Sequence, residues 1–398
     1  PWLRLHARAL GALPAQPSSS ALDLLQLPEF DQARRLVGDH KLEEAIPLVA
    51  RTLQVCGAMN APGMSVLAHE ASAYLHGAMG ELDSELEIRR KQASVAGAGA
   101  SSPETTLSAN GLVLCHLTRL EGGQAAEAAR AFLDGRKDVD PLTRACFELH
   151  RRAAAALFIG AAEAPGMSVG PSGPSALVSG VAPAEEGKVI GACEAVLDCM
   201  AKIDSTGTGE VLAPLAGLLE GAGKAGGEDP CAAQRLAALR IAARHKLAAG
   251  NTAAAEEHAS AALRLAKSRS PGRPTLDSLA CLLEVAHVAV AKQDALTAEG
   301  LYRSCIDQIA ALPGAQAPAA VDALSLALLD FGDLLDKMST NGRPRSKEAE
   351  AVRVQAAALQ TTLRLEALRA MRDSGPFGSL RVSLIHSYCD WFRWRWWS

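Results

Sequence analysis

Apolar residues recur along this chain at positions i, i+3, i+4 and i+7, the spacing that places them on one face of an α-helix. The pattern recurs as a sequence motif in which a turn is followed by a small residue and then by a helical segment. One helix type used several times predicts a helical array, whose units bury their apolar faces against their neighbours. The clearest copies are residues 40–55 (HKLEEAIPLVARTLQV), 123–133 (GQAAEAARAFL), 250–267 (GNTAAAEEHASAALRLAK) and 293–309 (QDALTAEGLYRSCIDQI).

Helix start and stop signals extend this pattern over most of the chain. Proline suits the first helical turn at Pro103 and Pro141, and the Ser-Pro-Gly segment at 270–272 marks a stop. The alternation that marks strands is scarce, so the sequence predicts an all-α fold. The predicted helices cover residues 30–38, 42–57, 64–78, 81–96, 104–120, 124–136, 141–160, 185–204, 208–222, 231–249, 252–268, 275–292, 295–311, 318–338 and 346–372.

Two segments rich in small residues interrupt the helical pattern. Residues 161–184 combine Gly, Pro and Ser and are interpreted as an insertion loop, and residues 221–230 (GAGKAGGEDP) form a second break. Such interruptions are typical of the boundaries between parts of an array. The predicted organisation is an N-terminal arm at 1–29, an N-terminal array at 30–160, an interrupted joint at 161–230, a C-terminal array at 231–372 and a Trp/Arg-rich tail at 373–398.

The best copies carry small or large apolar residues at fixed positions of their second helix. They are Gly250, Ala255, Ala259 and Ala262 in one copy and Gln293, Ala298, Tyr302 and Cys305 in the next. This pattern resembles the tetratricopeptide repeat (TPR), a family whose unit is a pair of antiparallel helices. The resemblance spans roughly residues 30–370 and implies a right-handed superhelix of helical hairpins that binds other proteins. The spacing of about 42 residues exceeds the family's unit of about 34 and is similar to the longer-looped subgroup typified by kinesin light chains.

The remaining copies fit this motif less closely. The small residues that open their second helices align at Ala45, Ala128 and Ala349, whereas Glu85 and Arg89 stand at the small and apolar positions of the second copy. An array that clamps many peptides needs regular repeats. The decay of the pattern therefore favours a dedicated structural subunit whose repeats fit one partner.

Composition narrows the classes of function. The chain has a net charge of -4, and its arginines are scattered, so no basic stripe for a nucleic acid is expected. The nine cysteines are irregularly spaced and include no CxxC pair, which favours small buried apolar side chains in a reducing compartment. No apolar stretch reaches the roughly 18 residues that a membrane-spanning helix needs.

The N-terminal segment has the composition of a targeting peptide. Its first 22 residues include Arg4 and Arg8 but no acidic residue, and they are rich in Ala, Leu, Ser and Pro. An ordinary N-terminal arm is the alternative interpretation. We therefore expect a mitochondrial protein, with a plastid, the cytosol or a cilium as alternatives.

The motifs of catalysis and cofactor binding are missing from the sequence. Gly221, Gly223 and Gly226 satisfy GxGxxG, but they follow a helical phrase instead of a strand, which favours a linker over a nucleotide loop. Neither HExxH nor a Walker-type loop occurs. Residues 166–170 (GMSVG) match GxSxG, but they lie in the Gly/Pro/Ser-rich insertion with no strand before them, so no nucleophile elbow is expected. The sequence therefore predicts a non-enzyme that holds no cofactor and no metal.

Two groups of residues are candidates for contacts with partners. Basic side chains on the predicted helices offer groups that grip the carboxylates of a bound segment, and a solvated outer face is the alternative. The segment 391–397 (WFRWRWW) suits a hot spot for a partner or a membrane surface, and a cap over the last helix is its alternative. The candidate residues are Arg89, Arg90, Arg151, Arg152, Trp391, Trp394, Trp396 and Trp397.

These features predict a non-catalytic scaffold for protein–protein interaction. We expect a subunit or assembly factor of a large organellar complex. Its groove, N-terminal arm and tail are each expected to contact other protein subunits, and several contacts together raise the overall affinity. A cytosolic or ciliary cargo adaptor of the kinesin-light-chain type is the alternative. The third hypothesis, a helical domain attached to an enzyme, requires catalytic groups that the sequence does not offer.

Overall fold

The structure, a computed structural model, describes residues 23–97, 102–134, 136, 139, 141–158, 184–206, 209–221, 229, 231–340 and 343–392. Helices joined by short turns make up most of these residues. The helices are α1 (Pro28–Gly38), α2 (Leu42–Ala58), α3 (Pro62–Ala78), α4 (Leu82–Ala96), α5 (Pro103–Thr118), α6 (Gly122–Asp134), α7 (Pro141–Leu157), α8 (Ala184–Thr206), a 3₁₀-helix (Gly209–Leu215), α9 (Ala216–Gly221), α10 (Ala232–Ala248), α11 (Thr252–Arg269), α12 (Leu276–Ala291), α13 (Ala295–Ala310), α14 (Pro318–Lys337), α15 (Ser346–Ala358), α16 (Thr362–Asp373) and α17 (Gly378–Phe392).

The predicted all-α class is confirmed, and most predicted helices end within a few residues of the observed ones. The range 208–222 is corrected to a 3₁₀-helix followed by the short α9, and Pro214 lies inside the 3₁₀-helix, where it removes a backbone donor. The range 346–372 is corrected to two helices, because the Thr361 hydroxyl accepts from the Arg364 N–H and starts α16 as an N-cap. The helix α17 was not predicted at all and lies in the segment assigned to the tail.

Packing divides the chain into two units. The first contains Pro1–Leu197 together with Ser387–Ser398, and the second contains Asp198–His386. The division falls inside α8, within the expected joint, and again inside α17. In both units most helices pack on the helix that follows them, as expected for an array of hairpins.

The first helices of successive hairpins also contact one another directly. In the first unit α3 contacts α5 and α5 contacts α7, and in the second unit α10, α12, α14 and α16 form the same kind of series. We call each series the first-helix layer of its unit. The second helices of the hairpins, such as α4 and α11, also pack on the first helices. A first helix is therefore buried on more than one face, which explains why α5 and α10 have polar as well as apolar buried side chains.

A recurrent turn joins the two helices of several hairpins. Its left-handed residue is His40, Gly80, Leu120, Gly250 or Gln293. In each of these turns the N–H of that residue donates to the carbonyl three residues earlier, and the next N–H donates to the carbonyl five residues earlier. The turn at Asn60, which joins α2 to α3 of the next hairpin, has the same geometry. It satisfies carbonyls that a helix end leaves without partners, and it recurs in both units with different side chains.

The small residues that open the second helices lie in the core, with one change of register. Ala45, Ala255 and Ala298 are fully buried, as the aligned pattern predicts. In the third copy the fully buried positions are Ala125 and Ala129, whereas the predicted Ala128 is only partly buried. The choice of Ala128 was wrong because α6 is rich in alanine, and spacing alone cannot distinguish its registers.

Apolar side chains from consecutive hairpins form the core of the second unit. Tyr302 on α13 stacks on Phe331 of α14 with ring centroids 6.0 Å apart, and Ala298 and Ala349 pack into the same cluster. All nine cysteines are buried and carry free thiols, which confirms their predicted role as small core residues. The only strands among the described residues are Ser339–Thr340 and Arg343–Pro344, which pair antiparallel between α14 and α15.

Candidate protein-binding surfaces

Arg89, the first of the predicted partner-binding arginines, lies in the core. It is 1% exposed, in the position on α4 that Tyr302 occupies on α13. Its guanidinium donates to the carboxylate of Glu70 on α3 and lies 3.6 Å from a carboxylate oxygen of Glu85. Gln92 donates to the same Glu70 carboxylate at 3.1 Å. The prediction that Arg89 faces a partner is therefore corrected, since the residue is an internal ion-pair partner.

The surroundings of Arg89 keep it charged. Burial opposes the charged form, but Glu70 and Glu85 outweigh that effect and raise the pKa of Arg89. Glycines make room for these side chains, because a Cβ at Gly77 would meet the Glu85 carboxylate and one at Gly111 would meet the guanidinium. The second hairpin thus replaces the small and apolar core residues of the motif with a buried ionic cluster and glycines around it.

Arg151 and Arg152 also have partners within the protein. Arg151 donates to Glu148 one turn earlier on α7 at 2.9 Å, and both side chains are partly exposed. Arg152 donates at 2.9 Å to Glu194 on α8, whose side chain is only 1% exposed. A pair with one buried member is expected to hold its geometry more firmly than an exposed pair. Arg152 therefore acts first as a link between two helices of the first unit.

Arg90 differs from the other three predicted arginines. Its side chain is exposed, and it forms no ion pair or hydrogen bond within the described residues. It lines a surface cleft of about 470 Å³ formed by α4, α5 and the start of α6. Within this cleft Arg90 offers a guanidinium that remains free to receive a carboxylate from another protein.

The other charged groups that line the cleft all have partners. Arg119 donates to Asp83 at 2.6 Å and to Glu121 at 3.0 Å, and His116 contacts Glu121 at 2.7 Å. Glu87 pairs with Lys91 outside the cleft at 2.6 Å. Partial burial opposes the charge on Arg119, but Asp83 and Glu121 together raise its pKa. Arg90 is therefore the charged group of the cleft without a partner among the described residues.

The first residue of the Trp-rich segment is not on the surface. Trp391 is 6% exposed in the last turn of α17, where its ring lies 5.8 Å from the ring of Tyr388. The expectation that Trp391 contacts a partner or a membrane is therefore corrected in favour of an internal contact. Trp394, Trp396 and Trp397 lie outside the described residues, as do the N-terminal arm at 1–22 and the insertion at 161–183.

In the first unit, residues 387–392 of α17 pack on the first-helix layer. Asn110 of α5 donates to the backbone carbonyl of Phe392 at 3.1 Å, and His150 of α7 lies 2.8 Å from the Tyr388 hydroxyl. Tyr388 and Phe392 are 1% and 3% exposed. One face of α5 and α7 is therefore covered by a helix of the same chain.

In the second unit, residues 378–386 of α17 contact the corresponding layer through hydroxyl groups. Arg244 on α10 donates to Ser379 at 3.1 Å. One turn earlier on α10 and one turn later on α17, Arg240 donates to Ser383 at 2.9 Å. Two guanidiniums one turn apart on α10 thus meet two hydroxyls one turn apart on α17, which fixes the register of the two helices.

A buried carboxylate on α14 holds the next part of α17. His386 lies 2.8 Å from the Asp322 carboxylate, which also accepts from Arg364 and from Gln360. Burial would raise the pKa of Asp322, but His386 and Arg364 outweigh burial and lower it. Asp322 therefore stays ionised and links α14, α16 and α17.

A second buried carboxylate organises the layer itself. Glu284 on α12 accepts from both Arg240 and Arg244 of α10. Burial would raise the pKa of Glu284, but Arg244, His287 and Arg240 hold it well below its ordinary value. His287 contacts Asp330 of α14 at 3.0 Å, and the carboxylates of Asp330 and Glu284 raise its pKa against burial and Arg244, which lower it. The network joins three successive first helices by charge.

Sequence reasoning missed these polar contacts because it treated the first helices as apolar. A signal exists in the spacing, since Arg240 and Arg244 lie four residues apart in an otherwise Ala- and Leu-rich helix, and Glu284 and His287 lie three apart in the next one. Such pairs indicate one polar stripe on each helix. The identity of the helix that covers the stripes cannot be derived from this spacing.

The described part of the chain offers no further class of site. It contains no cluster of three or more His, Cys, Asp or Glu side chains able to hold a metal ion. Among the same residues, no helix is long and apolar enough to cross a membrane. No protein-family model matches this sequence, and no curated protein matches it significantly.

Proposed function

We propose that this chain is a non-catalytic scaffold of the TPR type, with the right-handed superhelix of that family, that binds other protein subunits through its outer surface. The observation that carries the proposal is the occupation of both first-helix layers by α17. Because α17 covers the first-helix layers, the surface left for a partner is the outside of the array. Such a molecule suits permanent assembly with one partner better than exchange among many peptides.

The cleft beside Arg90 is the contact that we propose on this exterior. Arg90 is exposed and unpaired among groups that are otherwise paired, so a partner carboxylate can bind it without breaking an existing ion pair. Arginine is enriched at the energetic centres of interfaces because its planar group makes several hydrogen bonds at once. The partner is accordingly a protein with an acidic side chain at its contact surface.

A large mitochondrial complex is the proposed setting, on the basis of the acid-free N-terminal segment. The alternative is a cytosolic or ciliary adaptor of the kinesin-light-chain type, which is favoured by the long spacing of the repeats. Fractionation of cells that express the tagged chain distinguishes the two. The organellar proposal fails if the chain remains in the cytosol as a monomer.

Affinity purification from isolated organelles, followed by mass spectrometry and native gel electrophoresis, tests the scaffold proposal. We expect the chain to co-migrate with a large assembly and the Arg90→Glu variant to lose most of that association. Arg51→Glu on α2 is the matched control, since Arg51 is also exposed, has no partner among the described residues and does not line the cleft. Equal association of both variants would exclude the cleft, and a wild-type monomer would exclude the scaffold.

A further inference from the structure

A chain of three hydrogen bonds fixes the end of α17 in the first unit. Asn110 donates through its Nδ2 to the carbonyl of Phe392 at 3.1 Å, so its Oδ1 faces His150 as an acceptor at 2.8 Å. The Nε2 of His150 must therefore carry the proton. In the neutral ring Nδ1 is then the acceptor, and it receives the Tyr388 hydroxyl at 2.8 Å.

The surroundings of this chain favour an uncharged imidazole. His150 is fully buried, and the rings of Phe147, Tyr388 and Phe392 stand edge-on to it with centroids 5.0–5.8 Å away. Burial lowers the pKa of His150 to about 3. A proton on Nδ1 would force the Tyr388 hydroxyl to rotate from donor to acceptor, which takes its own proton away from Nδ1. It would also place a charge among aromatic rings that offer no carboxylate.

The titratable groups packed around this site come from α7, α8 and α17. Burial raises the pKa of Tyr388 well above its ordinary value, so its hydroxyl keeps its proton. Three thiols lie near Tyr388, and the guanidinium of Arg152 is paired with the carboxylate of Glu194. Of the groups named here, His150 is the one whose ordinary pKa, 6.5, lies near neutral pH, so its release into water would let it take up a proton. The three thiols belong to Cys146, Cys193 and Cys389.

We propose that residues 387–392 form an acid-sensitive latch, in which protonation of His150 places a charge without a carboxylate partner beside Tyr388 and Phe392 and favours the opening of this end of α17. Opening exposes buried side chains, so the open form is a minor state reached by local unfolding, and protonation raises its population. The residues before this end of α17 stay docked, because Ser379 and Ser383 bind arginines and His386 binds the ionised Asp322. None of these contacts needs a neutral imidazole.

The direction of the pH effect follows from the lowered pKa of His150. Its stabilising contribution is complete above the ordinary histidine value of 6.5 and is lost as the pH falls from 6.5 towards about 3. The equilibrium between released and latched forms shifts about tenfold for each pH unit in this window. At pH 5 the released form is therefore expected to gain about 30-fold over its population near neutral pH.

Hydrogen–deuterium exchange of the full chain at pH 7.5 and pH 5.0, corrected for the intrinsic exchange rate, tests the latch. We expect protection of the peptide 385–392 to fall by about 30-fold at pH 5.0, while that of 378–384 changes little. The matched variant is His150→Gln, because glutamine can donate and accept at this site but does not titrate. In this variant the protection of each peptide should be the same at pH 7.5 and at pH 5.0.

Three outcomes would overturn the proposal. They are unchanged protection of 385–392 in the wild type, an equal loss in both peptides, and a pH effect that persists in His150→Gln. If His150→Gln does not fold, Tyr388→Phe replaces it as the test. This variant removes one hydrogen bond and leaves His150 in place, so its last turn should exchange faster at pH 7.5 and still respond to acid.

Discussion

A guanidinium occupies a core position of α4 because carboxylates on two helices reach it. Arg89 stands where the other second helices carry Val49, Ala259 or Tyr302, and its charge is met by Glu70 and Glu85. A buried ion pair adds little net stability compared with apolar residues of the same size, but it is costly to break. The departure of this copy from the repeat pattern is therefore compensated within the same hairpin and its neighbour.

Replacing Arg89 with alanine should destabilise the protein strongly. The change leaves two buried carboxylates without their cation, so we expect the free energy of unfolding to fall by about 3–5 kcal/mol in urea titrations. The control Arg90→Ala alters an exposed, unpaired side chain and should change it by less than about 0.5 kcal/mol. The triple variant E70L/E85A/R89V removes every charge of the cluster. Its free energy of unfolding should fall by less than that of Arg89→Ala alone.

The outcome that contradicts this account is a similar stability for Arg89→Ala and Arg90→Ala. It would mean that water or a rearranged side chain satisfies Glu70 and Glu85 in the absence of the guanidinium. A triple variant less stable than Arg89→Ala would contradict the second part, namely that apolar residues can replace the whole ionic cluster.

At the level of elements, the turn between paired helices recurs with the same backbone geometry although its side chains differ. Gly250 and Gln293 occupy the same left-handed position with φ of 75° and 62°. Glycine adopts this conformation without strain, whereas other residues pay a steric cost. The sequence pattern varies at this position, so the turn is held by the packing of the helices on either side of it.

Two glycine-to-alanine changes separate conformation from packing. Gly250→Ala should lower the free energy of unfolding by about 1 kcal/mol. A Cβ there meets no other atom, but the positive φ strains the backbone of any residue that carries one. Gly300→Ala, in the exposed middle of α13 and equally free of contacts, should stabilise by about 0.5–1 kcal/mol. Thermal unfolding followed by circular dichroism measures both. Shifts of the same sign would show that the backbone of the turn differs from the one described.

At the scale of the whole molecule, α17 is an integral part of the core of each unit. In the first unit it contributes Tyr388, Cys389, Trp391 and Phe392, all nearly inaccessible to solvent. In the second unit it contributes Leu380, Leu384 and Ile385, which are equally buried. Each large apolar side chain buried in this way stabilises the fold by about 1.5–3 kcal/mol. The C-terminal segment is therefore better described as a core helix than as an accessory tail.

Truncation tests this role of α17. Deleting residues 387–398 removes the four buried side chains of the first unit and should abolish its cooperative unfolding transition or lower its midpoint by many degrees. Deleting residues 393–398 alone removes none of those side chains and serves as the matched control. Differential scanning calorimetry of both truncated chains gives the comparison. Equal midpoints would contradict a core role for this end of α17.

Local sequence signals were sufficient for most helices and for the class of fold. Periodicity, N-terminal prolines and turn residues act over a few neighbouring positions, so they predict helices such as α5 and α13 closely. The long range 346–372 was misjudged because its apolar periodicity continues through the break that Thr361 introduces. Local patterns report that a helix is favoured but indicate its interruption less reliably.

The sequence by itself determined that this protein is an array of paired helices with an alanine-rich core. Only the tertiary structure decided that Arg89 is internal, that Ala125 replaces Ala128 in the core, and that α17 lies on the first-helix layers. The physical reason is that helix formation depends on neighbours a few residues apart. The partners of a buried charge or of a helix buried on several faces are distant in sequence, as are Asn110 and Phe392.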